Sequence, residues 1–277
     1  MVRSAAEDAR GIIAPDAGFQ RFHLDRFPPS PEVGRLVDRY WVVTWHLQGL
    51  PPHTQHVLPH PVVNVVFQDG GPGVVAGVST TLSSRTLSGD GRALGVMFRP
   101  AGFRPLLRRP MTTVRDTAFP WSSVVGGAVA DELARALAAA PTGEDMAAVA
   151  DAALARLVPA RPQSWERTAA LVEQVAADPA FLTVEALARQ AGSTARQLQR
   201  RFADHVGISP KAVIRRYRLY EAAERARGGG DVDWPALAAS LGYSDQAHLT
   251  RDFTASFGLP PGRYVAANAV AGDEHDT

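Results

Sequence analysis

The sequence predicts an α+β chain, with a β-rich, sensor-like N-terminal domain followed by an all-α C-terminal domain that carries two helix-turn-helix units. Three observations predict it. Short β-branched and aromatic runs, bounded by Pro and Gly, fill residues 21–122. Beyond 123 they give way to Ala- and Leu-rich segments with apolar spacings of three and four. Between 181 and 263 one pattern is stated twice, about 50 residues apart.

Residues 1–20 are polar, Ala-rich and unpatterned, and read as a flexible tail. Strands are expected at 40–45, 62–67, 74–78 and 95–98, between breakers such as Pro51-Pro52, 69–73 and 99–102. Helices are expected at 129–139 and 145–157, separated by Pro141-Thr142-Gly143. With the linker 158–162 they make a helical segment over 123–160. The DNA-binding domain is then 161–265, with its two units at about 183–203 and 233–257. A flexible acidic tail, 266–277, closes the chain.

The 277 residues include no cysteine, which excludes a disulfide scaffold, thiolate zinc sites, iron–sulfur ligation and a cysteine nucleophile. No apolar run reaches the ~18 residues of a spanning helix, and the polar start lacks an export signal, so a cytoplasmic protein without a membrane partner is expected. The formal net charge is only +1, from 29 basic and 28 acidic side chains. That near-balance is a cancellation. Residues 189–227 alone hold ten basic side chains against Asp204, Glu221 and Glu224. Every basic residue except Lys211 is Arg, the better reader of bases and phosphates.

The first copy of the repeat runs Leu187-Ala188-Arg189-Gln190-Ala191-Gly192, Thr194, Leu198, Phe202, Gly207-Ile208-Ser209-Pro210. The second runs Leu237-Ala238-Ala239-Ser240-Leu241-Gly242, Ser244, Leu249, Phe253, Gly258-Leu259-Pro260-Pro261. Each reads as a short helix, a Gly turn, a hydroxyl cap and a second helix. Thr194 and Gln197 form a capping box that fixes where the first reading helix begins. Leu198 and Phe202 must share its inner face, which turns Arg196 and Arg200 outward with Gln197 beside them. Leu249 and Phe253 likewise turn Ala247 and Arg251 outward, with His248 beside them. Arg can bond two acceptors on guanine and Gln can bond adenine in the major groove.

The runs 182–188, 196–202 and 207–210 resemble the first half of an AraC/XylS-type DNA-binding domain, and 241–253 with 257–264 resemble its second half and closing signature. The resemblance implies seven helices and two reading helices entering successive major grooves of double-stranded DNA. It carries over Arg196, Gln199 and Arg200 in the first unit and Gln246, Ala247, His248, Thr250 and Arg251 in the second as contact positions. Gln197, Arg201 and Arg216 complete the candidate DNA-binding set, Arg216 as a phosphate contact. Ala247 is too short to reach a base edge, and Asp245 repels phosphate unless it caps its helix. The β-rich half resembles the N-terminal domains of some AraC-like regulators, which implies an effector or partner contacts. A small-molecule effector, RNA polymerase and a second copy of the chain are therefore candidate partners, with helices 127–139 and 145–157 as either a dimer seam or cover for the β-domain.

Three groups in the β-rich half could carry chemistry. His46, His53, His56 and His60 lie within 15 residues, but no nearby acid or thiol completes a ligand set, so packing or surface roles are expected and no metal. Trp41, Trp45, Phe67 and Phe98 could line an effector pocket; β-domain core is the plainer role. Arg99, Arg104, Arg108, Arg109 and Arg115 could hold an anion, touch DNA or meet the other domain, a solvated face being the plainer reading. No catalytic residue and no cofactor are expected. A fused DNA-repair methyltransferase needs a methyl-accepting thiolate, and there is none. Phosphate loops, nucleophile elbows and His-Glu-x-x-His motifs are missing from the sequence as well. The remaining rival is a helical protein-interaction module, whose DNA affinity would ignore the reading face.

Overall fold

The computed structural model describes residues 12–13, 15–178, 181, 183–227 and 232–269. Its N-terminal half is built on a six-stranded sheet in the order β1-β2-β7-β4-β5-β8, antiparallel throughout. The strands are β1 His23–Phe27, β2 Val37–Leu47, β4 Asn64–Gln68, β5 Val74–Ala76, β7 Gly89–Phe98 and β8 Ala118–Pro120. β3 His53–Val57 and β6 Ser83–Leu87 pair separately.

The central pair, β2 and β7, sets the two faces of the sheet by simple alternation. Tyr40, Val42, Leu94, Val96 and Phe98 join the main core. Trp41, Val43 and Trp45 point to the other face, packing with Phe22, Leu47 and Ala93. Trp41 stands opposite Gly95 and Trp45 opposite Gly91. A Cβ on Gly95 would come 1.9 Å from Trp41 Cε2, and one on Gly91 2.3 Å from Trp45 Cζ2. The indoles thus occupy the space that the opposing glycines leave.

Four helices follow or flank the sheet: α1 Pro15–Phe19, α2 Arg104–Leu107, α3 Ser122–Val125 and α4 Gly127–Ala139. α5 Gly143–Ala155 starts at a Thr142–Asp145 capping box and packs on β1, β2 and β7. There the Tyr40 hydroxyl donates to Asp151 at 2.9 Å, and burial raises the Tyr40 pKa. Arg92 on β7 donates to the carbonyls of Ala138 and Ala140, which close α4.

Seven helices then follow among the described residues: α6 Ser164–Ala177, α7 Val184–Gln190, α8 Ala195–His205, α9 Pro210–Arg227, α10 Trp234–Ser240, α11 Gln246–Phe257 and α12 Pro261–Ala269. The hydrophobic core does not break at the 158–162 linker. Leu187, Leu198, Phe202, Val206 and Ile214 belong to the same buried cluster as the sheet and α4–α6. Leu237, Leu241, Leu249, Phe253 and Tyr264 form a second cluster around the far end of α9, joined by Ile13 and Leu58. The first helix-turn-helix unit therefore shares its core with the β-rich half, and the second has a core of its own.

The loose-tail expectation fails over 12–20. Ile12 and Ile13 are buried, Ile12 bridges Val57, and Gln55 Nε2 donates to the Ile13 carbonyl at 2.7 Å. Two apolar residues among small and polar neighbours leave no periodicity to read, yet β3 supplies a surface for them. Residues 1–11 and 270–277 lie outside the described residues, and 266–269 continue α12. Among the described residues no helix is long and apolar enough to cross a membrane.

Candidate nucleic-acid interface

Both helix-turn-helix units are built from the same local chemistry. Thr183 caps α7 by accepting from Ala186 N, and Asp233 caps α10 by accepting from Ala236 N. Each first helix ends at a glycine in the left-handed region, Gly192 at φ +58° and Gly242 at φ +72°. The closing bonds repeat: Ser193 N donates to Ala188 O at 2.9 Å, and Tyr243 N to Ala238 O at 2.9 Å. The sequence repeat is thus also a repeat of hydrogen bonds.

α8 begins at Thr194, whose hydroxyl accepts from Gln197 N at 3.2 Å while Gln197 Oε1 accepts from Thr194 N at 2.9 Å. Leu198 and Phe202 are wholly buried, worth roughly 1.5–3 kcal/mol each, and they lock the helix phase. Arg196, Gln197, Gln199 and Arg200 are exposed together, with Arg201 half-buried at their side. Gln197 has its carbonyl oxygen committed to the cap, so only its amide donors are left for a base.

α11 begins at Asp245, whose Oδ1 accepts from His248 N at 2.7 Å. That backbone bond holds the Asp245 carboxyl below the usual carboxylate range, so it remains charged. The negative charge sits on the helix cap rather than loose on the reading face. Gln246, Ala247 and Arg251 are exposed. His248 and Thr250 are half-buried; the His248 ring stands edge-on to Tyr243 with centroids 5.1 Å apart, and its Nδ1 lies 3.2 Å from Ser244 Oγ. Gln246 and Arg251 are therefore the long polar side chains that this helix presents outward.

Arg216 departs from expectation. Its Nη2 donates to the Ser79 carbonyl of the β-rich half at 2.8 Å, and its Nη1 is buried. Burial pushes its pKa down. The guanidinium lies in the seam between the halves and not on a phosphate-facing surface. Other charges of α9 are spent internally too: Arg215 lies 3.7 Å from Asp252, and Arg225 donates to Glu221 at 2.8 Å. A charge count cannot separate outward from inward arginines, which is why the basic helix read as a phosphate surface.

The solvated-face reading fails for Arg99 and Arg104. Arg99 grips Glu173 of α6 through Nε and Nη2, both at 2.7 Å, and Arg104 Nε donates to Asp204 at 3.0 Å. Arg35 donates to Glu166 at 2.7 Å. Glu166 and Glu173 lie seven residues apart, on one face of α6. Arg108, Arg109 and Arg115 are exposed as expected of a surface series.

The proposed effector quartet does not converge. Phe67 and Phe98 lie in the main core, whereas Trp41 and Trp45 pack on the opposite face of the sheet. Period-two alternation makes that unavoidable for side chains of opposite parity across paired strands, so the four cannot line one pocket. The histidines are dispersed as well. His46 is exposed near Asp90, His53 leans on Phe22, His56 is exposed, and His60 stacks on Tyr220 at 4.7 Å. Among the described residues no three metal-ligating side chains come together.

Two capped helix-turn-helix units on a shared connecting helix, fused to an antiparallel β-rich half, define a two-part DNA-binding protein. Residues 187–267 match the family model of a helix-turn-helix domain, and residues 25–120 match that of a domain of unknown function (DUF6597). The chain carries a C-terminal helix-turn-helix domain of the AraC type behind a DUF6597 domain. Solved structures similar to it include ToxT from Vibrio cholerae, 9% identical over 89% of this chain and 98% of that chain with a TM-score of 0.42. Unsaturated fatty acid-bound ToxT from strain SCE256 is 11% identical over 88% and 95%, with a TM-score of 0.38. The AraC-like transcriptional activator CuxR is 16% identical over 76% and 89%, with a TM-score of 0.27.

Proposed function

We propose that this chain is a sequence-specific transcription regulator, in which α8 and α11 read adjacent major grooves of double-stranded DNA and the β-rich half biases that reading through an effector or self-association. The observation that carries it is the α8 face: Arg196, Gln199 and Arg200 stand exposed together, opposite Leu198 and Phe202 at zero exposure. A helix so fixed in phase presents rigid bidentate donors to base edges. RNA polymerase and a second copy of the chain are the further partners this reading provides for.

Selection of bound DNA from a random pool by the purified protein tests it. The expected product is a motif of two half-sites about one helical turn apart. Arg196→Ala and Arg200→Ala should each weaken the selected site by about 1–3 kcal/mol and relax specificity at one position. Selection that enriches no motif, or a site bound equally well by both variants, overturns the reading.

A further inference from the structure

Where α9 crosses the seam, Arg216 and Tyr220 line a cavity of about 60 Å³, with Arg215 also on its wall. Pro59 and Thr80 close it from the β-rich half and Phe257 from the end of α11. The volume is well above the ~10–15 Å³ that one water requires.

Two donors face this space without acceptors. Arg216 Nη1 and the Tyr220 hydroxyl are buried and reach no hydrogen-bond partner among the described residues. Tyr220 is only 7% exposed, and its ring is held by His60, stacked at 4.7 Å, and by Phe257, edge-on at 6.5 Å. The neighbouring carboxylates are occupied elsewhere. Asp116 accepts from both Thr80 N at 2.6 Å and Thr80 Oγ1 at 2.8 Å, and Asp252 faces Arg215 at 3.7 Å. A desolvated guanidinium with an unmade bond is costly, and the cost falls when an acceptor of opposite charge fills the site. The cavity thus has two unsatisfied donors, a net positive wall and apolar sides at Pro59 and Phe257.

We propose that this cavity binds a small oxyanion, a carboxylate or a phosphate group, held by Arg216 Nη1 and the Tyr220 hydroxyl. The occupant touches the β-rich half, the connecting helix α9 and the end of α11 at once. Its effect on DNA binding rests on the regulator reading above; its binding does not.

The test is thermal unfolding of the full chain, free of DNA, titrated with inorganic phosphate and separately with sodium acetate, against sodium chloride at matched ionic strength. One of the two oxyanions should raise the Tm saturably above the chloride control, and which one does so identifies the head group. Arg216→Gln should weaken that binding at least about tenfold. Tyr220→Phe removes a hydroxyl that makes no bond, so its Tm without added anion should stay level or rise while its affinity falls several-fold. If neither phosphate nor acetate exceeds chloride, or if Tyr220→Phe binds as tightly as the parent, the site is overturned; the second criterion holds even if Arg216→Gln does not fold. A saturable shift that leaves affinity for the selected DNA unchanged upholds the site and overturns its coupling to DNA. Failure of DNA selection overturns the regulator reading while the anion titration still stands.

Discussion

Arg104, on the short helix after the sheet, donates to Asp204 near the end of the first reading helix at 3.0 Å. The bond joins residues 100 apart in sequence and ties α8 to the β-rich half. It does not act alone. Beside it, a Cβ on Gly207 would lie 2.9 Å from the Met111 carbonyl, so the chain after α8 passes close against the backbone at Met111. Arg35–Glu166 and Arg99–Glu173 fix α6 in the same way. The orientation of the first reading helix is therefore set by the N-terminal half as much as by its own turn.

We expect Arg104→Ala and Asp204→Ala each to destabilise the chain by less than about 1 kcal/mol, since the side chains remain 25% and 36% exposed and solvent screens the pair. The double variant should cost less than the sum of the two. Denaturant unfolding of all four proteins measures the coupling. Strict additivity would show that the pair is not a working link between the halves.

His205 provides a pH signature for the same junction. It is 8% exposed, with Nδ1 2.8 Å from the Thr168 hydroxyl and Nε2 3.3 Å from Asp204. The tautomer protonated on Nε2 satisfies both neighbours. Burial is the largest influence and lowers its pKa; Asp204 opposes this, while Arg104 and Arg201 add to it. Above about pH 6.5 the ring is neutral in folded and unfolded chains alike. As the pH falls below that, the unfolded chain takes up the proton more readily, so stability drops until the folded pKa is passed. Between about pH 7.5 and pH 5.5 the parent should lose more stability than His205→Gln does. Equal losses in the two proteins would mean that His205 does not carry the effect.

The helix-turn-helix units were legible because their signals are local. A cap, a turn glycine and an i, i+4 apolar pair specify phase within a dozen residues, and Thr194, Leu198 and Phe202 do what their spacing says. β2 and β7 were legible in part, from their β-branched runs. β6, Ser83–Leu87, was not, because its serines, arginine and threonine alternate with nothing apolar and it pairs only with β3. The seam was illegible for a different reason. Arg104 meets Asp204, and Arg216 meets Ser79, across more than a hundred residues of chain, and no periodicity records such a meeting. An arginine's sequence neighbours do not say whether it faces solvent or another domain.

The Trp41–Gly95 pair should resist any added methyl. Trp41 Nε1 donates to Asn64 Oδ1 at 3.2 Å, which holds the indole over Gly95. Gly95→Ala puts a Cβ 1.9 Å from the ring, so the indole or the strand must move. Overpacking of this kind costs about 1–3 kcal/mol. Replacing Trp41 as well removes the clash, so Gly95→Ala should cost markedly less in a Trp41→Ala background than in the parent. Thermal unfolding of the four proteins decides it; equal costs in both backgrounds would place the strain elsewhere.

Asp245 separates the capping of the second reading helix from its charge. Asn caps as well as Asp does, whereas Ala cannot cap. Asp245→Asn should therefore keep the Tm near that of the parent while removing a negative charge from the DNA-facing end of α11, and so tighten binding to DNA. Asp245→Ala loses the bond to His248 N and should lower the Tm while removing the same charge. Comparing Tm with affinity for the selected DNA at two salt concentrations separates the contributions. If Asp245→Asn binds DNA no better than the parent at low salt, the carboxylate lies outside the field of the phosphates, and α11 does not enter the groove by its N-terminal end.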